Sequence, residues 1–158
     1  MNTPQLNVAV QYTRKVAVHA HVRPYQNNLP LSNSIQLWLD VTELPEADHW
    51  RVELEAEVLG KTSQDTVCLE ATAAIEAIVV VSGMDATEVQ DALRYNVGGA
   101  LMGSLRVLLA NASANTGYGT ITLPPIDSTK LAALSAKQVV AAQLLNPADE
   151  TIVPVSTC

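Results

Sequence analysis

Apolar and polar residues alternate along the first half of the chain in four separate runs. Alternation with a period of two is typical of a strand that buries one face and leaves the other in water. The apolar members of the runs are Val8, Val10, Tyr12, Val16, Val18, Ala20 and Val22; Ile35, Leu37, Leu39 and Val41; Trp50, Val52, Leu54, Ala56 and Val58; and Val67, Leu69, Ala71, Ala73 and Ile75. The pattern predicts an antiparallel sheet of four strands with one dry and one wet face.

A helical period replaces the alternation after Gly83. From about Thr87 to Ala112 an apolar stripe predicts a long helix that packs on the sheet. Thr87 is the expected N-cap, and Glu88 and Asp91 favour the positive end of the helix dipole. The apolar stripe consists of Val89, Leu93, Val97, Leu101, Leu105 and Leu108.

A second stripe on this helix carries small residues. Glycine inside a helix costs ~1 kcal/mol relative to alanine, so two glycines on one face indicate that another backbone approaches closely. One chain of this size has too little else to cover both stripes, which favours self-assembly. The predicted interface residues are Ala92, Asn96, Gly99, Gly103 and Val107.

The end of the chain predicts one further helix. Residues 128–145 are rich in Ala and Leu at helical spacing, and Asp127 or Ser128 is the expected start. We expect residues 1–6 and 146–158 to be loose tails of a single domain that spans residues 1–158. The predicted fold class is α+β: a four-stranded antiparallel sheet with one wet face, packed by a long helix and a shorter C-terminal helix.

Composition narrows the classes of function. The 158-residue chain is 48% apolar, with only 4% aromatic residues and no Phe, so its core must be aliphatic. A net charge of -7 argues against nucleic acid and anionic membrane surfaces as partners. The apolar run 96–113 is shorter than the roughly 20 residues that span a bilayer and contains Arg106. Without a signal-peptide pattern, we expect a cytoplasmic protein in which Cys68 and Cys158 are free thiols.

Candidate catalytic residues are few. The sequence contains no P-loop, GxGxxG, GxSxG or HExxH motif. His19 and His21 share one strand face, but with His49 they lack the ligand spacing of a zinc site, so we expect no metal and no cofactor. Glu88 and Asp91 leave open an alternative, an acid–base reaction of the hot-dog thioesterase type on an acyl thioester.

Glutamates follow the predicted wet face of the sheet. Glu53, Glu55, Glu57 and Glu70, together with Glu76, alternate with the buried positions of their strands. They are explained equally well as an ordinary solvated face and as an acidic plate that attracts a basic partner.

The order of these elements resembles the SecB family of protein-export chaperones. The similar stretches are QYTRKVAV, IQLWLDVTELPEADHWRVELEAEVLG, CLEATAAI, VVVSGMDATEVQDALRYNVGGAL and ITLPPIDSTKLAAL, which lie between Leu6 and Leu145. The resemblance implies a homotetramer, a dimer of dimers with the long helices between the dimers, and no catalysis. It also implies that grooves hold unfolded precursors, which are then delivered to SecA.

This chain departs from the family at sites that matter for delivery. Lys15 and His19 occupy positions that are acidic in the family's first strand, and only Glu70 keeps the acid of the fourth. Family residues Pro and Phe-Pro-Tyr of the long helix correspond to Val97 and to residues 101–103, Leu-Met-Gly. About two extra residues near Ile75–Ile78 leave the strand register open there.

The function predicted from the sequence is an ATP-independent holdase for exported precursors or for a specialised client such as an antitoxin. The Pro- and Asn-rich stretch between the first two strands is predicted to cross the sheet and to offer apolar residues to clients, with two helix residues beside it. The predicted client-binding residues are Tyr25, Leu29, Leu31, Leu101 and Met102. Docking of a partner, with SecA as the candidate, is assigned to Glu53, Glu55, Glu57 and Glu70. A protein that only assembles as a scaffold is a third possibility.

Overall fold

The computed structural model describes residues 3–134 and 138–145 of the chain. Its strands are β1 (Gln5–Ala20), β2 (Leu31–Glu43), β3 (His49–Lys61), β4 (Val67–Ser82) and β5 (Gln138–Leu145). They form one antiparallel sheet in the order β1-β4-β3-β2-β5. Because β4 and β3 lie between β1 and β2, the connection from β1 to β2 crosses the sheet, as its length and composition predict.

Alternating side chains of β2, β3 and β4 make the core, as the period of two predicts. Leu37 lies opposite Ala56, which lies opposite Ala73, and all three are fully buried on the same face of the sheet. The intervening residues point to the other face, which we call the outer face. Among the described residues the aromatic members of the core are Trp50 and Tyr118, and the rest is aliphatic apart from Cys68 and Met102.

One continuous helix covers the buried face. It consists of α1 (Ala86–Ala92), a π-helical turn (Leu93–Val97) and α2 (Gly98–Ser113), and we call it the long helix. Its N-cap is Asp85, not Thr87 as predicted, because the Asp85 carboxylate accepts hydrogen bonds from the backbone N–H groups of Thr87 and Glu88 while Glu88 reaches back to the Asp85 N–H. No helix in the described ranges is both long and apolar enough to cross a membrane.

Every fourth residue of the long helix is buried against the sheet. The members of this row are Val89, Leu93, Val97, Leu101, Leu105 and Leu109, and Gly98, Met102 and Ser113 are buried beside them. An ordinary α-helix repeats every 3.6 residues and drifts away from such spacing, whereas the wider π-helical turn partly compensates for the drift. Leu109 is buried in place of the predicted Leu108, which is only half-buried.

The segment after the long helix runs back to a short helix, α3 (Ser128–Ala132), which Asp127 caps as predicted. Arg106 fixes the segment by donating to the carbonyl oxygens of Leu123 and Pro124, at 3.2 Å each. An arginine in the middle of an apolar helix therefore acts as an anchor for the neighbouring chain.

The predicted C-terminal helix over 128–145 is wrong beyond α3. Residues 138–145 form β5, which pairs with β2 from Leu31 to Leu37. The sequence QVVAAQLL is compatible with a helix or a strand. The backbone groups at the edge of β2 can be paired by a strand but not by a helix, and this selects the strand. Residues 146–158, predicted to be a tail, lie outside the described residues.

Strand β1 departs from the prediction that its alternating side chains are buried. Val8, Val10 and Val16 are 44–48% exposed, because β1 lies at the edge of the sheet. Register shifts between Val8 and Val10 and between Thr13 and Lys15 also change which residues share a face. Both shifts place an extra residue in β1, opposite the Ile78/Val79 and Ala74/Ile75 steps of β4. The irregular register is therefore at the segment where it was predicted, but the extra residues belong to β1. Strand β1 begins at Gln5, inside the predicted N-terminal tail.

Candidate functional site

The crossing loop holds an exposed aromatic residue. Tyr25 is 75% exposed and lies in a short 3-10 turn, Pro24–Gln26, where its hydroxyl accepts a hydrogen bond from Arg23. Leu29 is half-buried, and its backbone N–H and carbonyl are both bound by the Asn27 side chain, at 3.0 and 2.8 Å. The structure thus places the first two predicted client residues at the surface, on a loop with fixed local geometry.

The crossing loop is tied to the segment that follows the long helix. The buried Tyr118 donates a hydrogen bond to the carbonyl oxygen of Val22 at 2.7 Å. Gly117, with φ of +81°, lies so close to Pro24 that a Cβ there would be 2.8 Å from the proline ring. Glycine is required at this point, and the two segments form one surface.

Three predicted client-binding residues are not at the surface. Leu31 and Leu101 are fully buried and Met102 is 4% exposed. Leu31 begins β2 on the core face, and the two helix residues belong to the stripe that packs on the sheet. The prediction that these three expose apolar surface is wrong. The sheet covers the two helix residues, and Leu31 lies on the core face of the sheet.

The exposed apolar surface lies instead on β1 and on the outer side of the long helix. The large apolar side chains that are exposed, besides Tyr25, are Val8, Val10, Tyr12, Val16, Tyr95 and Val107. The sequence signal for β1 was the alternation itself, which shows an apolar face without showing what covers it. Exposed apolar patches in proteins often mark interaction sites.

A groove of about 700 Å³ separates β1 from the second half of α2. Gln11 and Thr13 of β1 line one side, and Gly103 and Val107 line the other. The Gln11 amide bridges the groove by donating to the Ser104 hydroxyl at 2.9 Å. Two residues predicted for the assembly interface thus border the exposed strand.

The predicted interface stripe faces away from the sheet. Asn96, Gly103 and Val107 are exposed, whereas Ala92 and Gly99 are half-buried. A Cβ at Gly103 would meet no atom within 4 Å. Gly98 differs, because a Cβ there would lie 3.0 Å from Leu39, so that glycine serves the contact of the helix with its own sheet.

The outer face carries a cluster of glutamates with cations inserted among them. Glu53 and Glu76 lie opposite each other on β3 and β4. Arg14 approaches Glu53 at 2.6 Å, Glu76 at 3.3 Å and Glu55 at 3.4 Å, and Lys15 pairs with Glu55. We call these five residues the outer-face ion cluster.

Two observations show that the ion cluster is partly desolvated. Glu55 and Glu76 are only 5% exposed. Burial, and then the hydrogen bond and negative charge of Glu76, raise the pKa of Glu53 above its ordinary value even though Arg14 acts in the opposite direction. Glu53 and Glu55 therefore form ion pairs within the fold, with Arg14 and Lys15. The sequence did not reveal this, because only the β1 register shift at Thr13/Lys15 lets Arg14 and Lys15 both reach the glutamates.

The other two predicted docking residues lie on the same face away from Arg14. Glu57 is opposite Thr72 in the register. Glu70 is opposite His19, and its carboxylate contacts His21 Nε2 at 3.0 Å. The rings of His19 and His21 stack with centroids 6.1 Å apart, so the two histidines share a face as predicted.

Two of the candidate catalytic residues, His19 and His21, line a cavity of about 390 Å³ together with Glu70. Glu88 is exposed and takes part in the helix cap, and Asp91 is exposed one turn later. His49 is remote from the other histidines and contacts the Ala47 carbonyl. Within residues 3–134 and 138–145 no three His, Cys, Asp or Glu side chains come together in a way that would hold a metal ion. Cys68 is a buried free thiol, as predicted.

These elements define a SecB-like α+β fold: an antiparallel sheet, a loop that crosses it after the first strand, and one long helix that covers it. The structure aligns with the SecB-like chaperone Rv1957 of Mycobacterium tuberculosis, solved in complex with a ChAD peptide from the Rv1956 HigA1 antitoxin. The TM-score is 0.63 at 12% sequence identity, over 77% of this chain and 91% of that chain. This likeness confirms the predicted fold.

Sequence comparison adds nothing to that likeness. No protein-family profile and no curated protein sequence matches the chain. A protein of unknown function from Streptococcus agalactiae aligns with a TM-score of 0.39 at 10% identity, over 78% of this chain and 100% of that chain, which is too low to carry an argument. The evidence for function therefore rests on the fold and on the surfaces described above.

Proposed function

We propose that this protein is an ATP-independent chaperone that holds client polypeptides unfolded in the cytoplasm. The observation that carries the proposal is the fold shared with a SecB-like chaperone whose structure contains a bound antitoxin peptide. Exposed apolar residues on the crossing loop and on β1 support it, because a holdase must offer apolar surface to unfolded chains. The clients would be exported precursors or a dedicated partner such as an antitoxin.

The crossing loop is the part of the client surface that can be tested without disturbing the core. Tyr25→Ser with Leu29→Ser should reduce the suppression of aggregation of a heat-denatured model enzyme at least threefold. Gln26→Ser with Asn28→Ser is the matched control, since it changes exposed polar positions of the same loop. Equal suppression by all three proteins would remove the loop from the client site.

We further propose that the protein works as a homotetramer assembled through the outer stripe of the long helix. The stripe is exposed, small at Gly103 and apolar at Val107, which is 59% exposed. Of the exposed valines of β1, Val8 and Val16 lie opposite the buried Val79 and Ala73 of β4, on the face of the sheet that the long helix covers. Such a surface is unfavourable for an isolated chain and typical of an interface between copies.

Gly103→Leu tests this assembly directly. The new side chain has open space in one chain and raises helix propensity, so each chain should still fold while the copies are held apart. Gln64→Leu adds the same side chain at an exposed turn and serves as the control. Sedimentation velocity should show dimers or monomers only for the first variant, and an unchanged tetramer would exclude Gly103 from the interface.

Docking of SecA on the outer face is expected to be weak. Arg14 and Lys15 already neutralise Glu53 and Glu55, and His21 contacts the remaining family acid, Glu70. Placing carboxylates on β1 with Lys15→Asp and His19→Glu should strengthen SecA binding in a calorimetric titration. Tight, salt-sensitive binding by the unmodified protein would contradict this expectation.

A further inference from the structure

The C-terminal strand β5 occupies an edge of the sheet that would otherwise be open. It pairs antiparallel with β2 from Leu31 to Leu37 and ends the strand order, so among the described strands β2 alone pairs with it. The register shifts between Ile35 and Gln36, and the second half of β2, through Glu43, extends beyond the pairing. Of the described strands, β5 is the least extensively bonded.

The segment of β2 that pairs with β5 contains a buried amide side chain. Asn33 of β2 is fully buried, and within the described residues neither its Nδ2 nor its Oδ1 finds a hydrogen-bond partner. It lies opposite Gln143 of β5 in the register. A buried polar group without a partner destabilises the state in which it is enclosed. Asn33 alternates with the buried Leu31 and Ile35, so its amide lies on the core face of β2, within the segment that β5 covers.

The β2 edge is a better template for an added strand than the opposite edge of the sheet. Its paired segment, LSNSIQL, has no charged residue. The β1 edge contains two register shifts and the cations Arg14 and Lys15, features that discourage strand addition. An uncharged edge with free N–H and carbonyl groups binds extended peptides through its backbone.

The sequence of β5 resembles the segments that an unfolded protein exposes. QVVAAQLL is uncharged and mostly apolar. We propose that β5 is an internal competitor for clients: it covers the Leu31–Leu37 edge of β2 until an extended, uncharged, apolar client segment displaces it. This inference rests on the proposed holdase function. It adds a control of client binding, because a client can bind the β2 edge only after β5 has left it.

A reversible lock tests the competition. Ser34→Cys and Ala142→Cys lie opposite each other in the register and are combined with Cys158→Ser to prevent other disulfides. The probe is a fluorescent, reduced and carboxymethylated polypeptide, which cannot refold or exchange thiols. Oxidation should weaken its binding at least tenfold, and dithiothreitol should restore it. The control lock, Ala17→Cys with Thr72→Cys, joins β1 to β4 and should leave binding unchanged.

A second variant tests the opposite direction. Backbone N–H groups of neighbouring strand residues point to opposite sides, so Ala141→Pro with Ala142→Pro removes at least one donor to β2 whichever side carries the ladder. This variant should bind the probe several-fold more tightly than the unmodified chain. Unchanged or weaker binding would count against the competition.

The outcomes separate the inference from the proposed function. Equal binding by the oxidised and reduced lock would overturn the competition while leaving the holdase intact. A disulfide between chains, or none, would also overturn it, since β5 would then belong to a second copy or lie elsewhere. Failure of every form, including the unmodified chain, to bind the probe would refute the holdase itself.

Discussion

Arg14 should contribute most to the stability of the outer-face ion cluster, because it contacts all three of its glutamates. Arg14→Met removes the guanidinium but keeps most of the apolar side chain over the sheet. In the variant Lys15 remains to neutralise Glu55 and Arg51 stays 3.9 Å from Glu76, whereas Glu53 loses its 2.6 Å partner. The three glutamates then repel one another in a partly desolvated site.

The size of the loss follows from the exposure of the partners. Surface ion pairs contribute ~0–1 kcal/mol, and breaking a buried pair costs ~3–5 kcal/mol. The Arg14 side chain is 42% exposed while those of Glu55 and Glu76 are 7% exposed, so we expect an intermediate loss of about 2 kcal/mol at pH 7. With an m-value of ~2 kcal/mol/M, the urea midpoint should fall by roughly 1 M.

Urea unfolding at equal protein concentration is the assay, because self-association makes stability depend on concentration. The loss should shrink at acidic pH, because Glu53, whose pKa burial raises, is then protonated and no longer needs the charge of Arg14. Arg23→Met, in the crossing loop, is the matched control and should change the unfolding free energy by less than ~0.5 kcal/mol. An Arg14 loss below that value, or one independent of pH, would refute the reasoning.

Three further predictions concern individual side chains. The raised pKa of Glu53 means that stability falls as pH rises from its unfolded value, 4.5, through the folded one; Glu53→Gln should flatten that fall in urea midpoints measured from pH 4 to 8. Tyr118→Phe should lower the unfolding free energy by ~1 kcal/mol through loss of its bond to the Val22 carbonyl, and calorimetry showing no change would exclude that bond. Gly117→Ala should cost ~1–3 kcal/mol from its positive φ and the clash with Pro24, and a midpoint equal to that of the unmodified chain would contradict the close approach.

The periodic patterns predicted the strands and the helix whose apolar face is buried in the core. Alternation in β2, β3 and β4 identified the core correctly, and the apolar stripe identified the long helix. The same reasoning failed at β1 and β5. Alternation shows an apolar face but not whether another element covers it, and the 138–145 sequence is compatible with two conformations until a neighbouring strand edge selects one.

The candidate site was less accessible to sequence reasoning. Tyr25 could be predicted because a Pro- and Asn-rich loop rarely buries an aromatic residue completely. Leu101 and Met102 were misplaced, because apolar residues of the long helix were assigned to the client although the sheet covers them. The pairing of Arg14 with three glutamates depends on one register shift in an edge strand, for which the sequence carries no periodic signal.

The most direct test of the central proposal compares binding of one polypeptide in two states. A reduced, carboxymethylated protein and its native form are titrated with the unmodified chaperone candidate, without and with ATP, and fluorescence anisotropy reports binding. The account predicts binding of the unfolded form at micromolar or lower concentration, no binding of the native form and no effect of ATP. Equal binding of both forms, dependence on ATP, or no binding of either would contradict it.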